Sequence, residues 1–396
     1  MTDIIDELAQ TSAAVSQLRS ARPAARENAQ LSFAALLEPA EAGEFSQAER
    51  YAVAAFVAGI TQAGRPAEFY LDLLGDEDEE LLAPVKEAIV AGQHRGPYAG
   101  GGHSTFEALG EHLGAAFDFA HLLVFHPKDA EPAAIGHLDA SGWGPTGMVS
   151  LAQLISFLAF QLRVVRGIAV LGGEAPAAPG AVAETPQERP GWEVTGGVET
   201  PEVVHPGRFV NHALGWKPWV PGLSKEDFTE EQREALIKPE RIEQPYFRLL
   251  ARDPAALKAR TLTDLDIFYN TDGGLGRAER ELAATVVSRL NGCEYCASVH
   301  QQRYVDEGGD RETIDRLLDD GVDIDLGRAD WAAIRDAAVA ISRTPLELGA
   351  EHVDALRAAG LDNQAVLDVI YSSSFFNWAN RLMLTLGTPD VPRRFR

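Results

Sequence analysis

Two separated stretches of the first half of the chain recur in the second half at a nearly constant spacing. Residues 46–54 resemble residues 276–284 at an offset of 230, and residues 157–163 resemble residues 375–381 at an offset of 218. Repeats at a fixed spacing are typical of an internal duplication, and the change of offset indicates a short deletion between the two registers. The chain is therefore expected to fold as two fused copies of one structural unit.

A segment rich in proline, glycine and alanine separates the two copies. It covers residues 173–207 and includes Pro176 and Pro179. This composition, without apolar periodicity, is typical of a semi-extended connector. We therefore predict a first domain at residues 1–172, a linker at residues 173–207 and a second domain at residues 208–396.

Apolar residues recur at helical spacing in both copies. Leu282, Val286 and Leu290 would lie on one face of a helix over residues 277–290. Residues 150–171 are apolar on most faces, as a buried central helix would be. The alternating patterns of β-strands, bounded by hairpin turns, are hard to find. The predicted fold class is all-α.

Acidic residues outnumber basic residues, 59 to 35, which gives a formal net charge of −24. Phosphate-rich partners require a basic surface, so neither nucleic acid nor an anionic membrane is expected as a partner. The first seven residues are acidic and lack the basic region of a secretory signal, and no run of about 18 apolar residues is evident. The expected location is the cytoplasm.

The chain contains two cysteines, Cys293 and Cys296. A disulfide between thiols so close in sequence would close too small a loop to stabilise a fold, which excludes a structural disulfide framework. In a reducing compartment such a pair is more often catalytic or metal-binding. Asn291 and Gly292 should end one helix, so that the next begins at about Cys293. The positive end of a helix favours a thiolate.

Two further side chains are predicted to lie near the thiols. His300 follows Cys296 by four residues and Cys293 by seven, so one helix places all three on the same face. Glu281 precedes Cys293 by twelve residues, on the first helix of an antiparallel pair, where it could reach His300 or the thiols. A carboxylate behind a histidine and a thiol can act as a proton relay. These four residues are the candidate catalytic residues.

The spacing of these four residues resembles that of the alkylhydroperoxidase D and carboxymuconolactone decarboxylase family. The lead-in at residues 277–282 and the Gly-Gly-Leu-Gly before it resemble the peroxidase-related branch of that family. The resemblance covers residues 240–390, and it reaches residues 20–172 only through the internal repeat. It implies duplicated alkylhydroperoxidase-like helical domains and thiol peroxidase activity without haem, metal or another cofactor. It also implies a homo-oligomer, expected here to be a trimer or a dimer.

Carried over by position, the resemblance implies a role for each candidate. Cys296 would be the peroxidatic thiol, Cys293 the resolving thiol, and Glu281 with His300 the relay. Members of the family can carry a histidine between the two cysteines, where this sequence has Glu-Tyr. The relay is therefore expected to differ in detail from that of those members.

The first copy lacks all four candidates. At the offset of 230, Glu281 corresponds to Tyr51, and the remaining three positions correspond to Ala63, Pro66 and Tyr70. The first domain is therefore predicted to be a degenerate copy without catalytic residues, which acts as a structural or pocket-forming partner.

The function predicted from the sequence is that of a thiol-dependent peroxidase for organic hydroperoxides or hydrogen peroxide, reset by an external dithiol or lipoyl-type reductant. Three alternatives remain open: a carboxymuconolactone-type decarboxylase or isomerase, a redox-sensing module without enzymatic activity, and a zinc site built from the thiols, His300 and a carboxylate. Decarboxylase members commonly lack the cysteine pair. A structural zinc site usually has four protein ligands, and no second cysteine pair exists.

We expect mild peroxide treatment to convert Cys293 and Cys296 into an intramolecular disulfide, because one helical turn brings the two sulfurs within reach. Intact-mass analysis should show the loss of two hydrogens, reversible by dithiothreitol. Cys293→Ser, treated in the same way, should not show that loss. A wild-type mass that does not change would count against a redox-active pair.

Overall fold

The computed structural model describes residues 3–96, 104–184 and 191–396 of the chain. The predicted all-α class is confirmed: the described residues form eighteen α-helices, a few 3-10 turns and one small sheet. The helices of the first half are α1 (Ile4–Ala9), α2 (Ala13–Arg19), α3 (Pro23–Leu37), α4 (Gln47–Ile60), α5 (Arg65–Glu77), α6 (Glu79–Ala91), α7 (Gly110–Phe125), α8 (Pro132–Ala140) and α9 (Pro145–Leu171).

The second half contains the other nine helices and the sheet. The helices are α10 (Glu230–Ala235), α11 (Pro245–Leu250), α12 (Pro254–Tyr269), α13 (Arg277–Leu290), α14 (Glu294–Asp306), α15 (Arg311–Asp320), α16 (Ala329–Ser342), α17 (Ala350–Ala358) and α18 (Asn363–Thr385). Strands β1 (Gly215–Pro218) and β2 (Gly387–Asp390) pair antiparallel, with Gly215 opposite Asp390 and Pro218 opposite Gly387. The sheet joins the start of the second half to its end.

The same series of helices occurs twice. Helices α3 to α9 recur in order as α12 to α18, and α4 and α13 have equal lengths, as do α5 and α14 and also α8 and α17. Equivalent side chains make equivalent contacts: Arg50 Nε donates to the Phe45 carbonyl, and Arg280 Nε donates to the Leu275 carbonyl, both at the offset of 230. These correspondences support the proposal that the fold arose by internal duplication.

The segment predicted as the linker, residues 173–207, forms no helix over its described parts, residues 173–184 and 191–207. It packs on the first half rather than extending freely. The indole of Trp192 stacks on the ring of His137 with 4.7 Å between ring centroids, and Thr195 Oγ1 donates to Asp139 Oδ2 over 2.5 Å. Further along, the Val204 amide donates to Asp390 Oδ1 of the second half over 2.9 Å, so the connector contacts both proposed domains.

The centre of the molecule is the contact between α9 and α18. Their side chains interlock: the Trp378 indole meets Phe157 and Phe160 at centroid distances of 5.3 and 5.6 Å. Gly167 lets the helices approach closely, because a Cβ there would lie 2.4 Å from a methyl of Ile370. The two halves thus share one continuous hydrophobic core. Both helices are buried within the chain, so their apolar surfaces already have a partner.

Two buried arginines link the halves, because each donates hydrogen bonds to backbone carbonyls of the other half. Arg163 on α9 donates to the Ser342 carbonyl at the end of α16, over 3.1 Å. Arg381 on α18 donates to the carbonyls of Leu123 and Val124 in the last turn of α7, over 2.8 and 3.3 Å. The carbonyls of a last helical turn have no partner within their helix, so each arginine stabilises a helix end in the other half.

Helix α9 is long and apolar enough to cross a membrane by length and mean hydropathy alone. In the folded chain 94% of its most apolar window is buried. Core helices of soluble proteins share these properties, so the composition of α9 is accounted for by its central position.

Replacing Arg381 with methionine should lower the free energy of unfolding by about 2 kcal/mol, because buried carbonyl oxygens lose their donors. Urea unfolding of the full chain would measure the change. Arg343→Met is the matched control: it removes the same charge from a largely exposed side chain and should change stability by less than about 0.5 kcal/mol. Equal losses in both variants would show that the buried hydrogen bonds contribute nothing.

Candidate active site

The two cysteines lie at a tight turn between α13 and α14. Gly292 adopts a φ of +79°, a left-handed conformation that favours glycine, and the Cys293 amide donates to the Ser288 carbonyl over 2.8 Å. Cys293 is the N-cap residue of α14, and Cys296 lies in the first turn of that helix. The helix break and the helix start lie where the sequence predicts them.

Both thiols are reduced and buried, with exposed fractions of 1% for Cys293 and 5% for Cys296. Burial and a hydrogen bond to Cys296 raise the pKa of Cys293 well above its usual range. Cys293 is therefore held as a neutral thiol whose proton is directed at its neighbour. The two thiols are thus close enough for one to influence the ionisation of the other.

Glu281 and His300 form a buried pair across the α13–α14 hairpin. His300 Nδ1 hydrogen-bonds to Glu281 Oε2, and the other carboxylate oxygen accepts from Arg277 Nε over 2.7 Å. Burial opposes ionisation of Glu281, but His300 and Arg277 outweigh it and hold the pKa of this carboxyl below its usual range. Because a carboxylate only accepts, Nδ1 carries the proton, and Nε2 is the basic atom of the neutral ring.

Aromatic rings fix the orientation of His300. The ring of Phe376 on α18 meets it edge-on at a centroid distance of 4.2 Å, and the ring of Phe268 on α12 lies at 6.0 Å. Cys296 and His300 are one turn apart on α14, so they lie on the same face. Among the described residues, however, His300 forms no hydrogen bond with either thiol. The structure thus brings the four candidates together as two interacting pairs on one helical hairpin.

Sequence reasoning missed three polar neighbours of the thiols. Glu294 lies 3.3 Å from His205 of the linker region, and burial raises the pKa of Glu294 to about 7. Burial and the adjacent thiols raise the pKa of Tyr295 to about 12. The third is Tyr246 of α11. Burial raises the pKa of its hydroxyl, and the charges of both cysteines also raise it. The two residues inside the Cys-x-x-Cys motif were visible in the sequence, whereas no motif marked Tyr246.

No group of three His, Cys, Asp or Glu side chains in the described ranges is arranged to hold a metal ion. The two thiols and His300 form no such group, and the Nδ1 atom of His300 is already hydrogen-bonded to Glu281. A cavity of about 780 Å³ lies elsewhere, between α3 and the start of α12, and its lining includes Arg50 and Lys258 but none of the four candidates.

Residues 254–339 match the family model of the carboxymuconolactone decarboxylase family. The matched segment begins at the start of α12 and includes α13 and the whole of α14. The segment that contains all four candidate residues is thus similar to the carboxymuconolactone decarboxylase family.

Solved structures are similar to part of the chain. One of them is an uncharacterized peroxidase-related protein from Silicibacter sp. TM1040, with 22% sequence identity and a TM-score of 0.35. The similarity covers 45% of this chain and 96% of that one. No curated protein matches the sequence.

The first half places neutral side chains where the second half has its candidates. Tyr51 lies on α4 and donates to Glu38, while Tyr70 on α5 is fully buried and hydrogen-bonds to Gln161 of α9. Pro66 lies in the first turn of α5, at the position of Cys296. The four positions of the first copy thus carry no thiol, histidine or carboxylate.

Glu294 should make stability depend on pH between about 4.5 and 7. Its folded-state pKa is raised above the unfolded value, so the folded chain binds the proton more tightly and loses stability as pH rises through 7. Glu294→Gln should therefore be more stable than wild type at pH 8, by roughly 1 kcal/mol given partial solvent screening, and equally stable below pH 4.5.

Urea unfolding of the reduced protein at pH 4.5, 6 and 8 would measure this difference. Glu307→Gln, an exposed position just after α14, is the control and should show no such pH dependence. A stability difference between Glu294→Gln and wild type that is the same at all three pH values would contradict a carboxyl that titrates near 7.

Proposed function

We propose that this chain is a thiol-dependent peroxidase that reduces organic hydroperoxides or hydrogen peroxide through Cys293 and Cys296. The observation that carries the proposal is the α13–α14 hairpin, which brings two mutually interacting thiols and a buried Glu281–His300 pair together. A thiol pair supplies two electrons, and a carboxylate-oriented histidine supplies a base. Together these are the requirements of peroxide reduction without a cofactor.

The first step is activation of Cys296. His300 Nε2 accepts the thiol proton, and the buried Glu281 carboxylate stabilises the imidazolium that forms. Amide groups at the start of α14 stabilise the negative sulfur. Cys293, held as a thiol, donates a hydrogen bond to it. This asymmetry supports Cys296 as the peroxidatic thiol and Cys293 as the resolving thiol.

The redox steps then balance. The Cys296 thiolate attacks the distal peroxide oxygen, the O–O bond breaks, and the alkoxide leaves as an alcohol by taking the proton from the imidazolium. Cys296 is now a sulfenic acid. The Cys293 thiol attacks its sulfur, water leaves, and the disulfide forms. An external dithiol reduces the disulfide by thiol–disulfide exchange and is itself oxidised.

The proposal also includes the reductant, the location in the cell and the assembly state. The reductant is a dithiol or lipoyl-type molecule, the location is the cytoplasm, and the assembly is a homo-oligomer, a trimer or a dimer. The reductant and the oligomer follow from the sequence resemblance at the Cys-x-x-Cys segment, and the location follows from the composition of the sequence. Because α9 and α18 bury one another inside the chain, an oligomer would use other faces of the molecule.

The family name suggests a second reaction, a carboxymuconolactone-type decarboxylation. The interacting thiols favour the peroxidase, since a decarboxylation has no use for a dithiol. A redox-sensing module would also form the disulfide, but without turnover. Peroxide consumption coupled to oxidation of a dithiol, measured for wild type and Cys296→Ser, distinguishes all three. Catalytic turnover in wild type alone supports the peroxidase.

Glu281→Gln should leave the fold intact and slow peroxide reduction by roughly 10²–10⁴-fold, because a general-base relay typically contributes that much. Glu279→Gln, two residues away on α13, is the matched control and should retain activity. The pH–rate profile provides the second measurement. An unchanged profile in both Glu281→Gln and His300→Ala would remove the relay from the mechanism.

A further inference from the structure

Arg260 on α12 differs from every other buried arginine in the described parts of the chain. Its side chain is 6% exposed, its Nε has no hydrogen-bond partner, and it forms neither a hydrogen bond nor an ion pair with any described residue. Asp264, one turn further along the helix, is not within ion-pair distance. The other buried arginines all donate to carbonyl or carboxylate oxygens: Arg19, Arg22, Arg50, Arg163, Arg280 and Arg381.

Aromatic rings surround the Arg260 guanidinium. Its central carbon lies 5.1 Å from the ring centroid of Phe375, 5.7 Å from that of Tyr246 and 5.9 Å from that of Trp378. Cation–π attraction stabilises the charge in part. It supplies no acceptor for the buried Nε–H, and burying a donor without an acceptor is unfavourable. A site with aromatic walls and a cation that lacks an acceptor suits a ligand with an apolar part and a negatively charged group.

Tyr246 connects this cation to the thiols. Its hydroxyl is buried and has no hydrogen-bond partner, and its ring packs edge-on against Trp216 at 5.5 Å. The same side chain is close enough to Cys293 and Cys296 for their charges to act on it. Two donors without a partner among the described residues, one charged and one neutral, therefore belong to one aromatic cluster, and the phenol lies within electrostatic range of the thiols.

We propose that Arg260 and Tyr246 bind the carboxylate of the substrate, which would make the preferred substrate an organic hydroperoxide that carries a carboxylate. This inference rests on the proposed peroxidase function. The guanidinium forms two parallel hydrogen bonds with the two carboxylate oxygens, and the phenol donates to one of them. The aromatic walls hold the apolar chain, and the peroxide group lies toward Cys296.

A binding experiment tests the site without relying on turnover. Isothermal titration calorimetry of the reduced full-length protein would compare octanoate with octan-1-ol, which have the same chain length and differ in charge. Wild type should bind octanoate more tightly than the alcohol. Arg260→Gln should weaken octanoate binding about tenfold or more, since a charge-assisted hydrogen-bonded pair is lost. Tyr246→Phe should weaken it less.

Two further variants control the experiment. Lys258→Gln removes one positive charge from an exposed position on the same helix and should bind octanoate as wild type does. Arg260→Lys keeps the charge without the planar fork and should have intermediate affinity. If Arg260→Gln does not fold, Arg260→Lys and Tyr246→Phe still decide the outcome. Equal octanoate affinity in these variants and in Lys258→Gln would overturn the site.

Kinetics give an independent readout. Wild type should reduce a fatty acid hydroperoxide with a higher kcat/KM than the methyl ester of the same hydroperoxide, and Arg260→Gln should reduce that ratio about tenfold, through KM. Equal ratios in wild type and Arg260→Gln would refute the substrate assignment. A wild type that binds octanoate through Arg260 yet reduces no peroxide would instead refute the proposed function and leave the carboxylate site standing.

Discussion

The close packing of α9 against α18 is the constraint on which the rest of the structure depends. Each helix is buried on nearly all sides, and the small Gly167 opposite Ile370 sets how closely they approach. Any loss of that contact would expose the apolar side chains of two long, buried helices to water. The reciprocal bonds of Arg163 and Arg381 fix the register of the pair. The two halves therefore form one core, although the sequence between them resembles a linker.

This shared core also positions the chemistry. Helix α18 supplies Phe376 against the ring of His300, and Asn377 and Asn380 on the same helix accept from the Asn291 side chain at the turn before Cys293. Because α18 is held by α9, the first half positions the site without contributing a catalytic side chain to it. A degenerate copy that keeps its central helix can still serve this role.

The all-α class, the central helices and the helix start at Cys293 could be predicted from the sequence, because they depend on local periodicity and on turn residues. The Glu281–His300 contact could also be predicted, since a hairpin brings residues on consecutive helices together. Tyr246 and Arg260 could not. They reach the site from separate helices, and their importance lies in the absence of partners, which depends on the packing of the whole chain. The β1–β2 pair was missed because its four-residue strands are far apart in sequence.

The two copies differ most in how they handle buried charge. In the second copy Arg277, Glu281 and His300 form a charged chain in the interior, and burying such groups costs free energy unless each is paired. At the offset of 230 the first copy has the uncharged side chains Gln47, Tyr51 and Tyr70; Tyr51 donates to the exposed Glu38 carboxylate, and Tyr70 hydrogen-bonds to the neutral Gln161. A purely structural role favours the neutral set, since it avoids desolvating ions. At these equivalent positions only the copy that holds the thiols carries a charged set, and this difference supports the proposed role of these residues in catalysis.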